Sequence, residues 1–253
     1  MSRRRRFLLG AALTLAAGLL GVYLLGRLEP YQETLEHGPA PEARANPYLA
    51  AEHFLRRRGL PVQRADDLQP LAELPSAGQT LLLLGDRQHM SPAQAERLLD
   101  WAAQGGHLLF VAERLWDEDE QASGDLLLDR LGIQQYQSDQ LDDADSEAEA
   151  EDAQLEPLEE PNRYPELTQL YLENEEAPAY IDFDTDFHLY DAQNRAHAWA
   201  NSAAATHMLQ LYHGDGLITV LSDAWIWRNE RIADYDNAWL LWYLAQDSAV
   251  TLL

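Results

Sequence analysis

Three carboxylates stand where an α/β protein most often does its chemistry. Asp86 follows the apolar run Thr80–Leu84, Glu113 follows His107–Ala112, and Asp223 follows Leu217–Ser222. Each run reads as a strand buried on both faces, and in open α/β sheets ligands collect at the carboxyl ends of the strands. If all three strands run parallel, the acids gather along one edge, where paired carboxylates can perform acid–base work or hold a divalent cation. The other reading makes each an ordinary loop acid, with Asp223 accepting backbone amides across the turn to Asn229. Asp236 and Asn237 precede the last helix, where such side chains satisfy free amides. Trp225 and Trp227, in the same stretch, are expected at the surface as partner contacts.

Other chemistry is less well supported. From Tyr180 to Tyr190 the sequence alternates strictly, with Asp182, Asp184, Asp186 and His188 on one side. Residues two apart on a strand are separated by about 6.7 Å, so the outer aspartates lie about 13 Å apart, too far for one ion. The segment is therefore expected as the wet face of an outer strand, and no metal or cofactor is expected. Ser222 lacks the G-x-S-x-G turn that exposes a nucleophile, no glycine loop for phosphate is present, and the histidines show no ligand spacing. Cysteine is absent, which removes disulfides, thiolate metal sites and every thiol nucleophile.

The elements that must position these residues follow from pattern and punctuation. Asn46-Pro47 opens a helix with Arg56–Arg58 in its last turn and Gly59 at its end. A short strand is expected at Pro61–Gln63. Thr80–Leu84, a helix capped by Ser91-Pro92 and ended by Gly105-Gly106, and His107–Ala112 form a crossover unit with parallel strands. Leu167–Leu172 suggests a helical turn. Met208–His213 and Leu217–Ser222, joined by Gly214-Asp215-Gly216, read as a hairpin. A final helix is expected at Asp236–Gln246, and one more strand at Ala249–Leu253. The fold class is α/β: a mostly parallel sheet with an antiparallel hairpin.

Charge and hydropathy place this domain. The chain has 253 residues and a formal charge of −25, and all 18 of its cations are arginine. Five of these precede residue 31, so the remainder is more acidic still and repels nucleic acid at long range. Residues 7–25 are free of charge and follow four consecutive arginines. Such a run spans roughly 29 Å, enough to cross a bilayer, with the N-terminus held in the cytoplasm. No small-x-small cleavage site follows, so an uncleaved signal anchor is expected, with the domain facing the periplasm or exterior. The expected organisation is a cytoplasmic N-terminus (1–6), the anchor (7–25), a juxtamembrane linker (26–45) and the α/β domain (46–253). An acidic insertion at about 117–162 is expected to be disordered, since between Arg130 and Arg163 it has eleven acids and no base.

NPYLAAEHFLRRRGLPV, RLLDWAAQGGHLLFVAE and VLSDAWIWRNERIADYDNAWLLWYLA together resemble the bacterial family called domain of unknown function 4350. The resemblance covers roughly residues 1–115 and 205–250. It implies a flavodoxin- or amidotransferase-like fold behind one transmembrane helix, related to the auxiliary domains of gliding-motility-type ABC transporters. In those groups a strand ends in Asp and two Asn residues follow, here Asp223, Asn229 and Asn237. Family context implies a membrane-anchored protein often encoded beside a MoxR-type AAA ATPase and von Willebrand-type proteins, with no established activity. The missing cysteine departs from the amidotransferase pattern. So does the lack of a second transmembrane helix after the domain, which members commonly carry. The expectation is a non-catalytic interaction or assembly module with membrane-protein partners. The alternative is an enzyme or a small-ligand or metal binder that uses the sheet-edge carboxylates.

Overall fold

The computed structural model describes residues 5, 10, 13–20, 23, 38–65, 74–138, 167–171, 177–202 and 205–253. The chain divides into two units, Met1–Ala40 and Pro41–Leu253. In the first, residues 13–20 are helical and exposed, with Leu13, Leu15, Leu19 and Leu20 facing outward. No helix among the described residues is long and apolar enough to cross a membrane. Of the anchor expected at 7–25 only residues 10, 13–20 and 23 are described, and of the linker at 26–45 only 38–45, where Pro41–Ala45 form a short helix.

In the second unit the helices are α1 (Pro41–Ala45), α2 (Leu49–Arg57), α3 (Pro92–Ala103), α4 (Leu126–Leu131) and α5 (Asn237–Ala245). The strands are β1 (Val62–Arg64), β2 (Thr80–Leu83), β3 (His107–Val111), β4 (Ile133–Gln137), β5 (Thr168–Leu170), β6 (Ala179–Ile181), β7 (Phe187–Asp191), β8 (Ala198–Asn201), β9 (Thr206–His213), β10 (Gly216–Leu221) and β11 (Val250–Leu252). Among the described residues one sheet has the order β1-β11-β2-β3-β10-β9-β8-β5-β6, and β4 pairs with β7 apart from it. The first five strands are mutually parallel and the last four antiparallel, so the antiparallel part is far larger than the expected hairpin.

Alternation along the strands builds a core on each face. Leu82, Leu109, Leu221 and Leu252 face α2, α5 and the 3-10 turn Trp225–Trp227. Leu81, Leu108, Phe110, Ile218 and Leu211 face α3, α4 and the β4–β7 pair. Helix α3 begins as its sequence dictates: Ser91 and Gln94 form a reciprocal capping box, with Pro92 at the first position. Gly59, at φ +87°, ends α2, its amide and that of Leu60 bonding back to Arg56 and Leu55 carbonyls. Gly216 has a different reason to be glycine. A Cβ there would stand 2.0 Å from the Ala102 carbonyl oxygen, so the β9–β10 turn can seat on the end of α3 only without a side chain.

A polar chain crosses the strands inside this core. Ser248 and Thr80 hydroxyls meet at 2.7 Å, His107 Nδ1 lies 3.4 Å from Thr80 Oγ1, and His107 Nε2 lies 2.8 Å from Thr219 Oγ1. Gln210 Nε2 completes it by donating to Thr219 Oγ1 at 3.0 Å. Burial lowers the His107 pKa to about 4, so the ring is neutral at pH 7.

Several expectations change. Helix α2 begins at Leu49 rather than at Pro47, because Asn46 turns inward and donates to buried Glu52 Oε1 at 2.5 Å. Residues 168–170 form strand β5, not a helical turn, since they pair with β6 and β8. The 180–190 stretch is not one strand: β6 and β7 flank a turn, and β7 leaves the main sheet to pair with β4. Helix α4 and strand β4 lie within the first part of the expected acidic insertion, because Asp125 caps a run of leucines that faces the core. The rest of that insertion, 139–162, lies outside the described residues.

Candidate functional site

Because β2, β3 and β10 run parallel, Leu84, Glu113 and Asp223 leave the sheet along one edge. There they frame a cleft of about 350 Å³, also lined by Tyr48, Asp184, Trp225 and Arg228. Clefts of this size hold small ligands or single side chains of a partner. The structure brings together two of the three expected carboxylates. Asp86 is not in the cleft wall; its Oδ1 instead accepts the Gln88 amide at 2.8 Å and closes its own turn.

Both cleft acids bond to backbone. Asp223 Oδ1 accepts from the Trp225 amide at 2.7 Å, and Oδ2 from the Asp184 amide at 2.9 Å, so Asp223 ties the β6–β7 turn to the end of β10. Burial pushes its pKa up to about 6, and the nearby Asp184 charge adds to this, while the two amides oppose it. Glu113 accepts the Arg87 amide through Oε1 at 3.0 Å and Oε2 at 3.3 Å. Its pKa is raised chiefly by burial and is held back by Arg87.

The two tryptophans have opposite fates. Trp225 is 51 % exposed at the cleft rim, with the Arg228 guanidinium 5.2 Å and that of Arg231 6.0 Å from its ring. Trp227 is 0 % exposed and donates from Nε1 to the Asn237 carbonyl at 3.0 Å, so it is not a surface contact. The 3-10 turn, with about three residues per turn, points side chains two apart in different directions. Tyr48 forms the opposite wall; its hydroxyl donates to the Leu84 carbonyl at 3.2 Å. Burial raises its pKa.

Asn229, Asp236 and Asn237 clamp backbone of distant segments. Asn229 Oδ1 accepts the Ala50 amide at 2.8 Å, while Nδ2 donates to the Ala43 and Asn46 carbonyls, which fixes α1 and α2 against the turn after β10. Asp236 makes no side-chain cap to α5; its Oδ2 takes the Tyr180 amide at 2.9 Å. Asn237 Oδ1 takes the Asp182 amide at 3.0 Å, and Nδ2 donates to the Arg231 carbonyl. These bonds cover the β6 edge of the sheet.

Among the described residues no group of three or more His, Asp or Glu side chains is placed to hold a metal ion. Asp182 pairs with Arg231 of the loop after β10 at 2.7 Å, and Asp184 Oδ1 takes the Asp186 amide within the turn. Ser222 Oγ lies 3.5 Å from Nδ1 of His207, but both residues are buried. Burial lowers the His207 pKa to about 4, and its Nε2 lies 3.0 Å from Ser202 Oγ.

Sequence reasoning missed Tyr48, Arg87, Asp125 and Arg228, and set Asp184 on the wet face of an outer strand. Only Asp125 had a local signal, an N-cap aspartate after Gly124 and before three leucines. Arg228 follows Trp225 in the same loop, and Tyr48 is brought in by the helix that begins at Leu49.

The family model described as "Domain of unknown function (DUF4350)" matches residues 40–245. No curated protein matches the sequence. Among solved structures, the chain is similar to the exo-beta-1,4-mannosidase Op5Man5 from Opitutaceae bacterium strain TAV5. The identity is 16 %, the TM-score 0.46, and the match covers 87 % of this chain and 35 % of that one. It is also similar to the mmIFT52 N-terminal domain at 11 % identity and a TM-score of 0.39, covering 76 % of this chain and 80 % of that domain. The chain thus spans about a third of the mannosidase, and neither similarity is close enough to bear on function.

Proposed function

The chain belongs to the DUF4350 family, and we propose that it acts as a membrane-anchored, non-catalytic interaction module whose sheet-edge cleft receives a partner protein. In this reading residues 7–25 cross the lipid with the N-terminus inside, and the domain stands on the outer side with an amidotransferase-like arrangement of its parallel strands. The partners are membrane proteins of an assembly served by a MoxR-type AAA ATPase. The observation that carries the reading is Trp225, a large aromatic left half in solvent at the cleft rim while Trp227 beside it is buried. Aromatic residues at the centre of a patch supply much of the energy of protein recognition. The cleft acids support it as well, because Asp223 and Glu113 accept from backbone amides and serve to fix loops.

The test is recovery of membrane partners with the tagged full chain in detergent. Trp225→Ala should reduce recovery several-fold while circular dichroism and unfolding stay unchanged. Equal recovery by the variant would refute the assignment of Trp225 to the interface.

A second reading, a small-ligand-binding or catalytic cleft, is favoured by the raised pKa of Asp223 and Glu113 in one cavity. Asp223→Asn distinguishes the two: it should leave partner recovery nearly intact for an interface and abolish ligand-dependent stabilisation for a catalytic cleft.

A further inference from the structure

The face that α2 and α5 turn outward differs from the rest of the chain in both charge and side-chain chemistry. On α5 the inner positions are Leu240, Leu241, Leu244 and Ala245, all buried, which leaves Trp239, Trp242 and Tyr243 partly exposed on the other side. Trp239 and Tyr243 stack with their ring centroids 5.0 Å apart. No residue of α5 is charged. Helix α2 packs beside it and buries Ala51, Glu52 and Leu55, so that Phe54, Arg57 and Arg58, three and four residues apart, look outward. The Arg58 guanidinium joins the two helices, standing 5.3 Å from the Phe54 ring and 5.4 Å from that of Trp242.

The charge of this face is the reverse of the chain's. The protein has 43 acids against 18 arginines, and Arg56–Arg58 are the only consecutive arginines after residue 6. The one acid of α2, Glu52, is buried and bonded to Arg56 and Asn46, so the exposed charge of this helix is positive. A helix apolar all round needs cover on both sides. Tryptophan and tyrosine beside arginine are the side chains of a membrane interface, where the rings sit at headgroup level and guanidinium groups meet phosphate. A second copy of the chain would instead press one arginine-bearing patch against another. Residues 26–40 join the expected anchor to α1, a tether of at most about 50 Å when fully extended. Helix α1 leads directly into α2, so the tether enters the domain through one of these two helices.

We propose that the α2–α5 face rests on the anionic lipid surface of the membrane, with Trp239, Trp242 and Tyr243 among the headgroups and Arg57 and Arg58 on lipid phosphates. The proposal rests on the reading of residues 7–25 as an anchor, and it uses none of the residues that line the cleft. The acidity of the rest of the chain works in its favour. Within a Debye length of about 8 Å an anionic bilayer repels the acidic remainder and attracts the arginine face, which selects this orientation. The tether removes the need to approach from a distance, because it holds the face at a high effective concentration over the lipid.

The experiment places the full chain in nanodiscs of phosphatidylglycerol and phosphatidylcholine whose acyl chains are either plain or brominated next to the ester. Bromine there quenches tryptophan at headgroup depth, and residues 7–25 hold no tryptophan. Two of the seven tryptophans lie on this face, so bromination should remove roughly a quarter of the emission. Trp239→Phe with Trp242→Phe, which keeps aromatic bulk against the core, should abolish that loss. Arg57→Gln with Arg58→Gln should reduce it about twofold, as should discs of phosphatidylcholine alone. Unquenched emission from a chain that stays with the discs overturns the proposal, and so does quenching that survives in the double phenylalanine variant. Discs that hold two chains with unquenched emission overturn it in favour of a second copy on this face. A chain that elutes free of lipid refutes the anchor itself, and the proposal falls with it.

Discussion

The stretch from Asp223 to Asn237 and the stretch from Asp86 to Asp125 border the same edge of the sheet and use polar side chains in opposite ways. In the first, Asp223, Asn229, Asp236 and Asn237 place their polar atoms on main-chain groups of distant segments. The loops are thereby fixed, and the aromatic rings of Trp225 and Tyr235 are left exposed. In the second, charged side chains face one another: Arg87 pairs with Asp125 and Glu113, and its Nε and Nη1 have no hydrogen-bond partner among the described residues. The motif-like residues thus hold backbone, whereas the inconspicuous Arg87 is buried among acids, with Nε and Nη1 lacking a hydrogen-bond partner among the described residues. A polar residue points to function when its bonding capacity exceeds what the fold uses.

Four measurements can break or sharpen that contrast. The largest effect is expected from Trp227→Ala, which empties the core under the Asp223–Asn237 stretch. It should cost about 3–5 kcal/mol, read as a lower urea midpoint at unchanged slope. Asn229→Ala comes next, at about 2–3 kcal/mol, because amide and carbonyl groups of the α1–α2 segment lose their partner. A cost below about 0.5 kcal/mol would mean that the clamp is not structural.

Acid sensitivity is the third. His107 and His207, near pKa 4 when folded against 6.5 as the ordinary value, stay neutral in the core while the unfolded chain takes up protons. Their contribution is present above pH 6.5 and is lost as pH falls toward 4. Asp223 has the opposite sign. Its folded pKa of about 6 exceeds the ordinary 3.8, so its contribution is fullest below about pH 4 and is lost as pH rises through 6. Urea midpoints from pH 7 to 4.5 should therefore fall overall, less steeply in His207→Gln and more steeply in Asp223→Asn. Parallel curves for all three proteins would contradict the assigned directions. Last, Trp225→Ala should move stability by no more than about 0.5 kcal/mol, as for a surface ring. A loss comparable to that of Trp227→Ala would return Trp225 to the architecture.

The parallel core was legible because its signals are local. Thr80–Leu83 and His107–Val111 are short apolar runs, and the Ser91–Gln94 capping box and Gly105 bound the helix between them. The hairpin before Asp223 was equally plain. The 180–190 segment misled because strict alternation describes residues on either side of a turn as well as one strand, and only pairing partners distinguish the two. Strand β11 was expected, but not its place between β1 and β2, which no period in five residues can specify.

Composition alone excluded thiol chemistry, and the clustered arginines before residue 31 with an acidic remainder set the electrostatic character of the chain. Local pattern then fixed most of the strands and helices, since propensity and periodicity act over a few residues. Tertiary structure decided which strand ends share an edge, that Trp225 is exposed and Trp227 buried, and that Asn229 and Asn237 hold backbone. It also buried Arg87 between Asp125 and Glu113. Burial and hydrogen-bond satisfaction depend on what the rest of the chain brings alongside, and no sequence window contains that information.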